Sequence, residues 1–159
     1  MNILKLKIKL NLKNLIQVKK KFFNYKYLKI KNKIKFEKLN TSNKNQIKNI
    51  IQKYKPNKIF YFSGQSSLTK SIKSKKETFS SHYDGTKNFL DILKTQKLDT
   101  KFFKANSGYI FSPQNGLVHL NCKLSSNDNP YIKAQQKVFN LIKIYRKYGL
   151  NLSNLIFMQ

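Results

Sequence analysis

A chain of 159 residues with 40% hydrophobic and 13% aromatic content is long enough to bury one core and too apolar for a disordered segment. Lysine or asparagine interrupts its apolar runs every few positions, which excludes a membrane span of roughly 20 apolar residues. The formal charge of +27 comes from 33 basic residues against 6 acidic ones, yet Arg146 is the only arginine, unlike nucleic-acid binders that rely on the guanidinium fork.

Leu4, Leu6, Ile8, Leu10 and Leu12 alternate with polar residues and predict a strand with one apolar face. The same alternation reads against a secretory signal, and a cytoplasmic protein is expected. Leu28, Ile30, Ile34 and Phe36 keep the same parity, interrupted at Asn32, and predict a strand ending near Phe36. The stretch between the two has no clear period. Ser42 is the expected N-cap of a helix that carries Ile47, Ile50, Ile51 and Tyr54 at helical spacing until Pro56 ends it. KIFYFS, residues 58–63, is a short apolar run between Pro56 and Gly64, the pattern of a buried strand.

After a lysine- and serine-rich connector, Phe79, Tyr83, Thr86, Leu90 and Leu93 define a second helix, and residues 101–105 the next strand. A polar loop fills residues 112–129. Tyr131 opens a third helix with Val138, Leu141, Ile142 and Tyr145 on its apolar face, ending at Gly149. Residues 152–157 follow as a strand. Strands alternating with helices predict an α/β fold, a parallel sheet with helices on both faces.

Four segments then stand in a suggestive order: KPNKIFYFSGQSS at residues 55–67, SIKSKKETFSSHYDGTKNFLDIL at 71–93, KFFKANSGYIF at 101–111 and NPYIKAQQKVFNLIKIYRKYG at 129–149. Together they resemble the extended short-chain dehydrogenases, and within them the GDP-mannose 4,6-dehydratases and related sugar-nucleotide epimerases, over roughly residues 35–159. The resemblance implies a partial NAD(P)-binding Rossmann-like domain over 35–159, preceded by a divergent strand segment over 1–34. It implies NAD or NADP as cofactor and a nucleotide sugar, GDP-mannose, as substrate. Ser63, Gly64, Gln65 and Ser66 take the place of the turn that passes the nicotinamide ribose. Ser107 matches the catalytic hydroxyl and Tyr131 the catalytic tyrosine. In this family the cofactor takes a hydride from sugar C4, a base removes the C5 proton, water leaves from C6, and the hydride returns there.

Three departures follow from the same match. The family's lysine, which supports the tyrosine as a base and contacts the cofactor, is Gln135 here, and an amide supplies no positive field. Lys133 and Lys137 lie roughly 160° to 200° around the helix from Gln135, so neither takes its place. The family's glutamate base is Tyr109, and a phenol is a poor base at neutral pH. All five glycines lie at Gly64 or later, so no G-x-G-x-x-G loop can cradle a pyrophosphate in the first strand-helix unit. Lys38 also stands where the family has an aspartate that contacts the adenine. The expectation is an incomplete Rossmann-like domain, lacking the first glycine-rich unit and the substrate subdomain. Such a chain is impaired alone, with a complementing chain or a second copy as the remaining route to a whole site.

His82 and His119 have no His, Cys or carboxylate at ligand spacing, and no metal site is expected. Cys122, the lone cysteine, is expected to be a plain buried residue. Tyr25, Tyr27, Tyr54 and Tyr61 among lysines admit a different class of function, a small lysine-rich protein that binds nucleic acid or an anionic surface. Lysine rises together with asparagine and isoleucine along the whole length, as an A- and T-rich coding sequence would give. The aromatics are therefore read as core and nucleic acid is not the expected partner.

Overall fold

The structure, a computed structural model, describes residues 6–10, 14–16, 34–35 and 37–158. Three short strands come first: β1 (Leu6–Leu10), β2 (Asn14–Ile16) and β3 (Ile34–Lys35). Of the strand expected to end near Phe36, Leu28, Ile30 and Phe36 itself lie outside the described residues, as do Leu4 and Leu12 of the first. Helix α1 (Lys44–Tyr54) leads into β4 (Lys58–Tyr61). A short helix α2 (Leu68–Lys73) precedes one long helical path: α3 (Lys75–Phe79), a π-helical turn (Ser80–Asp84) and α4 (Gly85–Thr95). Strand β5 (Lys101–Ser107) ends in a 3-10 turn (Gly108–Ile110), and α5 (Pro130–Arg146) and β6 (Leu152–Phe157) follow. Among the described residues the sheet order is β3-β2-β1-β4-β5-β6.

Strands β4, β5 and β6 are parallel, with Ile59 opposite Phe102 and Phe102 opposite Leu152. Parallel neighbours need a long crossover, and helices α4 and α5 supply it, which is the expected Rossmann-like α/β arrangement. The other edge adds to this parallel sheet a feature the sequence reading did not foresee, because β1 runs antiparallel to both β2 and β4. Only residues 11–13 separate β1 from β2, the length of a hairpin loop with no room for a crossover helix. A hairpin therefore stands where the first glycine-rich strand-helix unit would be.

Helix α1 starts one residue later than Ser42 suggests. Asn43 is the cap, its side chain accepting from the Gln46 backbone N–H at 3.0 Å, while the Ser42 N–H is held by the Asn40 side chain at 3.0 Å. Helix α2 lies in the connector that the sequence left unstructured. Ser67 caps it by accepting from the Lys70 N–H at 3.1 Å, but Ser71 is its only buried residue, so no apolar stripe announced it.

Ile47 and Ile51 of α1, Phe89 and Leu90 of α4, and Val138 and Ile142 of α5 pack in one cluster with Ile59, Phe102 and Leu152 of the sheet. Each such side chain contributes on the order of 2 kcal/mol by leaving water. The reverse face carries Phe60 stacked on Phe103 at 4.6 Å between centroids, with Phe62 against Phe157 at the strand ends.

Asp91 joins the three helices. It accepts from Lys44 of α1 at 3.0 Å, from Lys87 of its own helix at 2.9 Å and from the Tyr145 hydroxyl of α5. Burial alone would raise this carboxyl, but the bonds from Tyr145, Lys87 and Lys44 outweigh it and hold it at about 2. Its contribution is present above the ordinary carboxylate range and is lost as pH falls toward 2. Asp91→Ala is expected to lower stability by about 2 kcal/mol at pH 7, after discounting for the exposed lysines, as read by urea unfolding. A loss within about 0.5 kcal/mol would show that the junction holds nothing together.

Candidate functional site

The C-terminal end of β5, the turn after β4, the π-helical turn and the start of α5 enclose a cleft of about 160 Å³. Tyr131 enters it because Asn129 fixes where α5 begins. The Asn129 side chain accepts from the Tyr131 N–H at 2.9 Å, while its amide donates to the Leu68 carbonyl at 3.2 Å and its oxygen receives the Ser71 hydroxyl at 2.9 Å. Pro130 at the first helical position completes this start. One turn on, Gln135 faces the same cleft and its amide donates to the Tyr131 hydroxyl at 3.3 Å. Gln135 is 3% exposed and its Oε1 has no protein partner.

Ser107, at the end of β5, lines the cleft with Ser63, Gly64 and Ser66, so with Tyr131 and Gln135 six of the sequence-predicted residues meet here. Two others do not. Gln65 turns its side chain onto the Ser67 backbone, with its amide donating to the Ser67 carbonyl at 2.7 Å, and contributes only its own carbonyl near the cleft. Tyr109 is 45% exposed and lines a neighbouring cavity with Ser107 and Met158 instead. The 3-10 turn that follows β5 rotates it away. Lys133 pairs with Asp128 at 3.2 Å and Lys137 lies over the Phe79 ring at 5.3 Å, both turned from Gln135 as the helical angle requires.

Two residues that no motif marked complete the cleft. His82 comes from the π-helical turn, where the Ser81 carbonyl receives the Tyr61 hydroxyl at 2.8 Å and the His82 carbonyl receives the Thr86 hydroxyl at 2.6 Å. Its Nε2 lies 2.7 Å from the Gln65 carbonyl, which only accepts, so Nε2 carries the proton and Nδ1 is left as a buried acceptor without a partner. Its ring meets that of Tyr131 edge-on at 5.5 Å. Burial, and then the charge of Lys104, push this imidazole down to about 3, so it is neutral at any working pH. Lys104 is 1% exposed and donates to the Ala105 carbonyl, and burial lowers its amine to about 7. Strand parity could have found it. Lys104 follows Phe102 by two residues in KFFKANS and so shares its inward face.

The sequence matches the family model described as GDP-mannose 4,6 dehydratase over residues 3–159. No curated protein matches it. Among solved structures it is similar to dTDP-glucose 4,6-dehydratase from Streptomyces venezuelae, determined with NAD and TYD bound. The TM-score is 0.78 at 14% identity, over 92% of this chain and 47% of that one. The UDP-Glc/GlcNAc 4-epimerase of Campylobacter jejuni gives a TM-score of 0.76 at 16% identity, over 90% and 44% of the two chains. UDP-glucose 4-epimerase from Brucella ovis, in complex with NAD, gives 0.72 at 16% identity, over 78% and 38%. At these identities the likeness speaks for the fold, and this chain spans less than half the length of each of the three.

Proposed function

The chain belongs to the GDP-mannose 4,6 dehydratase family, and we propose that it is a partial, catalytically impaired sugar-nucleotide dehydratase domain of the cytoplasm. The observation that carries this reading is the neutral Gln135 amide, set 3.3 Å from the Tyr131 hydroxyl where the family holds a lysine. The tyrosine is in place and its usual cation is not. Tyr109 faces the neighbouring cavity, and no carboxylate lines the cleft to act as a C5 base.

The residues present fit one end of a nicotinamide dinucleotide. Gln135 Oε1 and His82 Nδ1 are buried acceptors with no protein partner, matched to the hydroxyl donors of a ribose. Ser63 and Gly64 would pass beside it, with Ser107 and Tyr131 facing the sugar. When bound, the cofactor supplies the hydride acceptor for sugar C4, and Tyr131 accepts the C4 hydroxyl proton while Ser107 orients that hydroxyl. The pyrophosphate end does not fit in the same way. The cleft of about 160 Å³ is below the roughly 300 Å³ of an ordinary ligand pocket, and a hairpin replaces the glycine loop. Residues 35–159 thus read as the partial cofactor domain, and a complementing chain or a second copy would have to supply the phosphate cradle and the grip on GDP-mannose. Among the described residues no helix is long and apolar enough to cross a membrane.

Calorimetry on the folded chain with NAD and with NADP tests this reading. Saturable binding that needs millimolar cofactor is expected for whichever dinucleotide fits, without turnover of GDP-mannose by the isolated chain. A folded chain that binds neither would overturn the cofactor reading, and turnover would overturn the impairment.

A further inference from the structure

Beyond the end of β5 the chain makes an excursion that walls a second and larger cavity, of about 370 Å³, within the range of ordinary small-molecule sites. Asn115 and Gly116, at φ 51° and 75°, turn a hairpin that Gln114 and Leu117 close with paired backbone bonds of 2.8 and 2.9 Å. Phe111 bridges to Leu124 at its base. The Gln136 amide of α5 donates to the Ile110 carbonyl at 3.1 Å and to the Ser125 carbonyl at 2.7 Å, which fixes the walls before anything enters. Phe111, Pro113, Val118, Ile132 and Met158 give those walls an apolar surface. Charged residues make up 25% of the chain, yet none of the described residues lining the cavity is charged.

The polar groups of the cavity have one sense. Ser107 Oγ accepts from the Tyr109 N–H at 3.3 Å, Ser125 Oγ from the Asn127 N–H at 3.2 Å, and Asn127 Oδ1 from the Asn129 N–H at 2.8 Å. The acceptor side of each is used. The two hydroxyl hydrogens and the Asn127 amide hydrogens meet no protein acceptor among the described residues, so the set is left to donate. We propose that this cavity is a binding site for an uncharged molecule with an aromatic body and an acceptor oxygen, the class of aryl ketones and aryl ethers. An apolar cavity of roughly 150 Å³ takes up benzene, so this one has room for a substituted ring and its oxygen. An ionic group would lose its water against walls that offer no counter-charge. The site goes beyond the cofactor reading and does not depend on it, since it needs neither a dinucleotide nor a nucleotide sugar, whose phosphates would find no cation on these walls.

The test titrates acetophenone and benzoate separately at about 150 mM salt, with the protein labelled by ¹³C-methyl methionine and the Met158 methyl followed by NMR. Met158→Leu identifies that resonance by removing it. Acetophenone should move it saturably, through the ring current of the bound ring, with half-saturation below about 1 mM. Benzoate keeps the ring and adds a charge, and should bind at least about tenfold more weakly. The comparison is stringent, because the net charge of +27 attracts the anion and a preference for the neutral ketone can only come from the site. Val118→Trp, which fills the cavity, should abolish the shift. No saturable shift with acetophenone up to about 10 mM, or benzoate binding as tightly, overturns the proposal in the unaltered protein whether or not the variant folds. A saturable shift that survives in folded Val118→Trp overturns it as well. Calorimetry with NAD reports separately on the cofactor reading, so loss of either leaves the other standing.

Discussion

Replacing Gly64 by alanine is expected to destabilise the chain by about 3 kcal/mol or more, among the largest losses any single methyl group could cause here. Two causes add. Gly64 has φ +137°, a region that side chains other than hydrogen rarely enter, at about 1 to 2 kcal/mol. A Cβ there would also lie 2.0 Å from His82 Cε1 and 2.3 Å from its Nδ1. The imidazole cannot step aside freely, because it is 3% exposed and its Nε2 donates to the Gln65 carbonyl at 2.7 Å. Gly116→Ala is the control. Its φ is +75° and nothing stands within 4 Å of the added carbon, so it should lose only the backbone part, about 1 kcal/mol. Urea unfolding of the two variants measures the difference, and equal losses would mean that His82 does not pack against Gly64. His82→Ala combined with Gly64→Ala should recover part of the loss, as expected of two residues that share one space.

The same contact shows what was legible in the sequence. Hydrophobic period announced α1, α5, β4, β5 and β6 to within a few residues at their ends, because each buries a regular stripe against the core. The helix expected through Phe79 to Leu93 was also there, but its spacing concealed the π-helical turn. That turn follows from Tyr61 on a distant strand reaching the Ser81 carbonyl, and from the close approach of Gly85, whose Cβ would lie 2.2 Å from the Tyr61 hydroxyl. No local pattern carries such a contact, so His82 stayed a histidine without a partner. The antiparallel β1 was legible in principle. What hid it was a strand at Asn14–Ile16 too short, at three residues, to register as one, and with it the brevity of the connection.

The two positions read by resemblance as replaced catalytic groups, Gln135 and Tyr109, met different structural fates, and burial separates them. Gln135 projects from the middle of a packed helix, so it stays 3% exposed and touches Tyr131 whatever its chemistry. Tyr109 sits in a single turn beyond a strand end, and its ring is free to lie in the adjacent cavity. Scaffold positions keep their geometry when the residue changes, whereas a side chain on a turn goes where its own size and polarity send it. Resemblance by residue order therefore pointed to both positions and said nothing of where the second side chain would turn.

Lys104→Met is expected to make the protein more stable than the unaltered chain by about 4 kcal/mol at pH 6 to 7, and the two should converge near pH 10. The direction follows from burial, which lowers this amine from 10.5 to about 7. Across that interval the unfolded chain holds the proton and the folded chain has released it, so unfolding takes up a proton and stability rises with pH. Below about 7 both states are protonated and the whole cost of burying the ammonium is present. Repulsion among the surface lysines relaxes with the same sign as pH rises, but it is common to both proteins and cancels in their difference. The window closes near pH 10, where tyrosines of the unfolded chain ionise while burial keeps Tyr61 and Tyr145 protonated in the fold, turning stability down again. Urea midpoints collected from about pH 6 to about pH 10 measure the gap. Parallel curves would mean that Lys104 reaches water or an acid in the folded protein. A gap that closes with rising pH would mean that this fold tolerates a several-kilocalorie strain at neutral pH to keep an amine in its core.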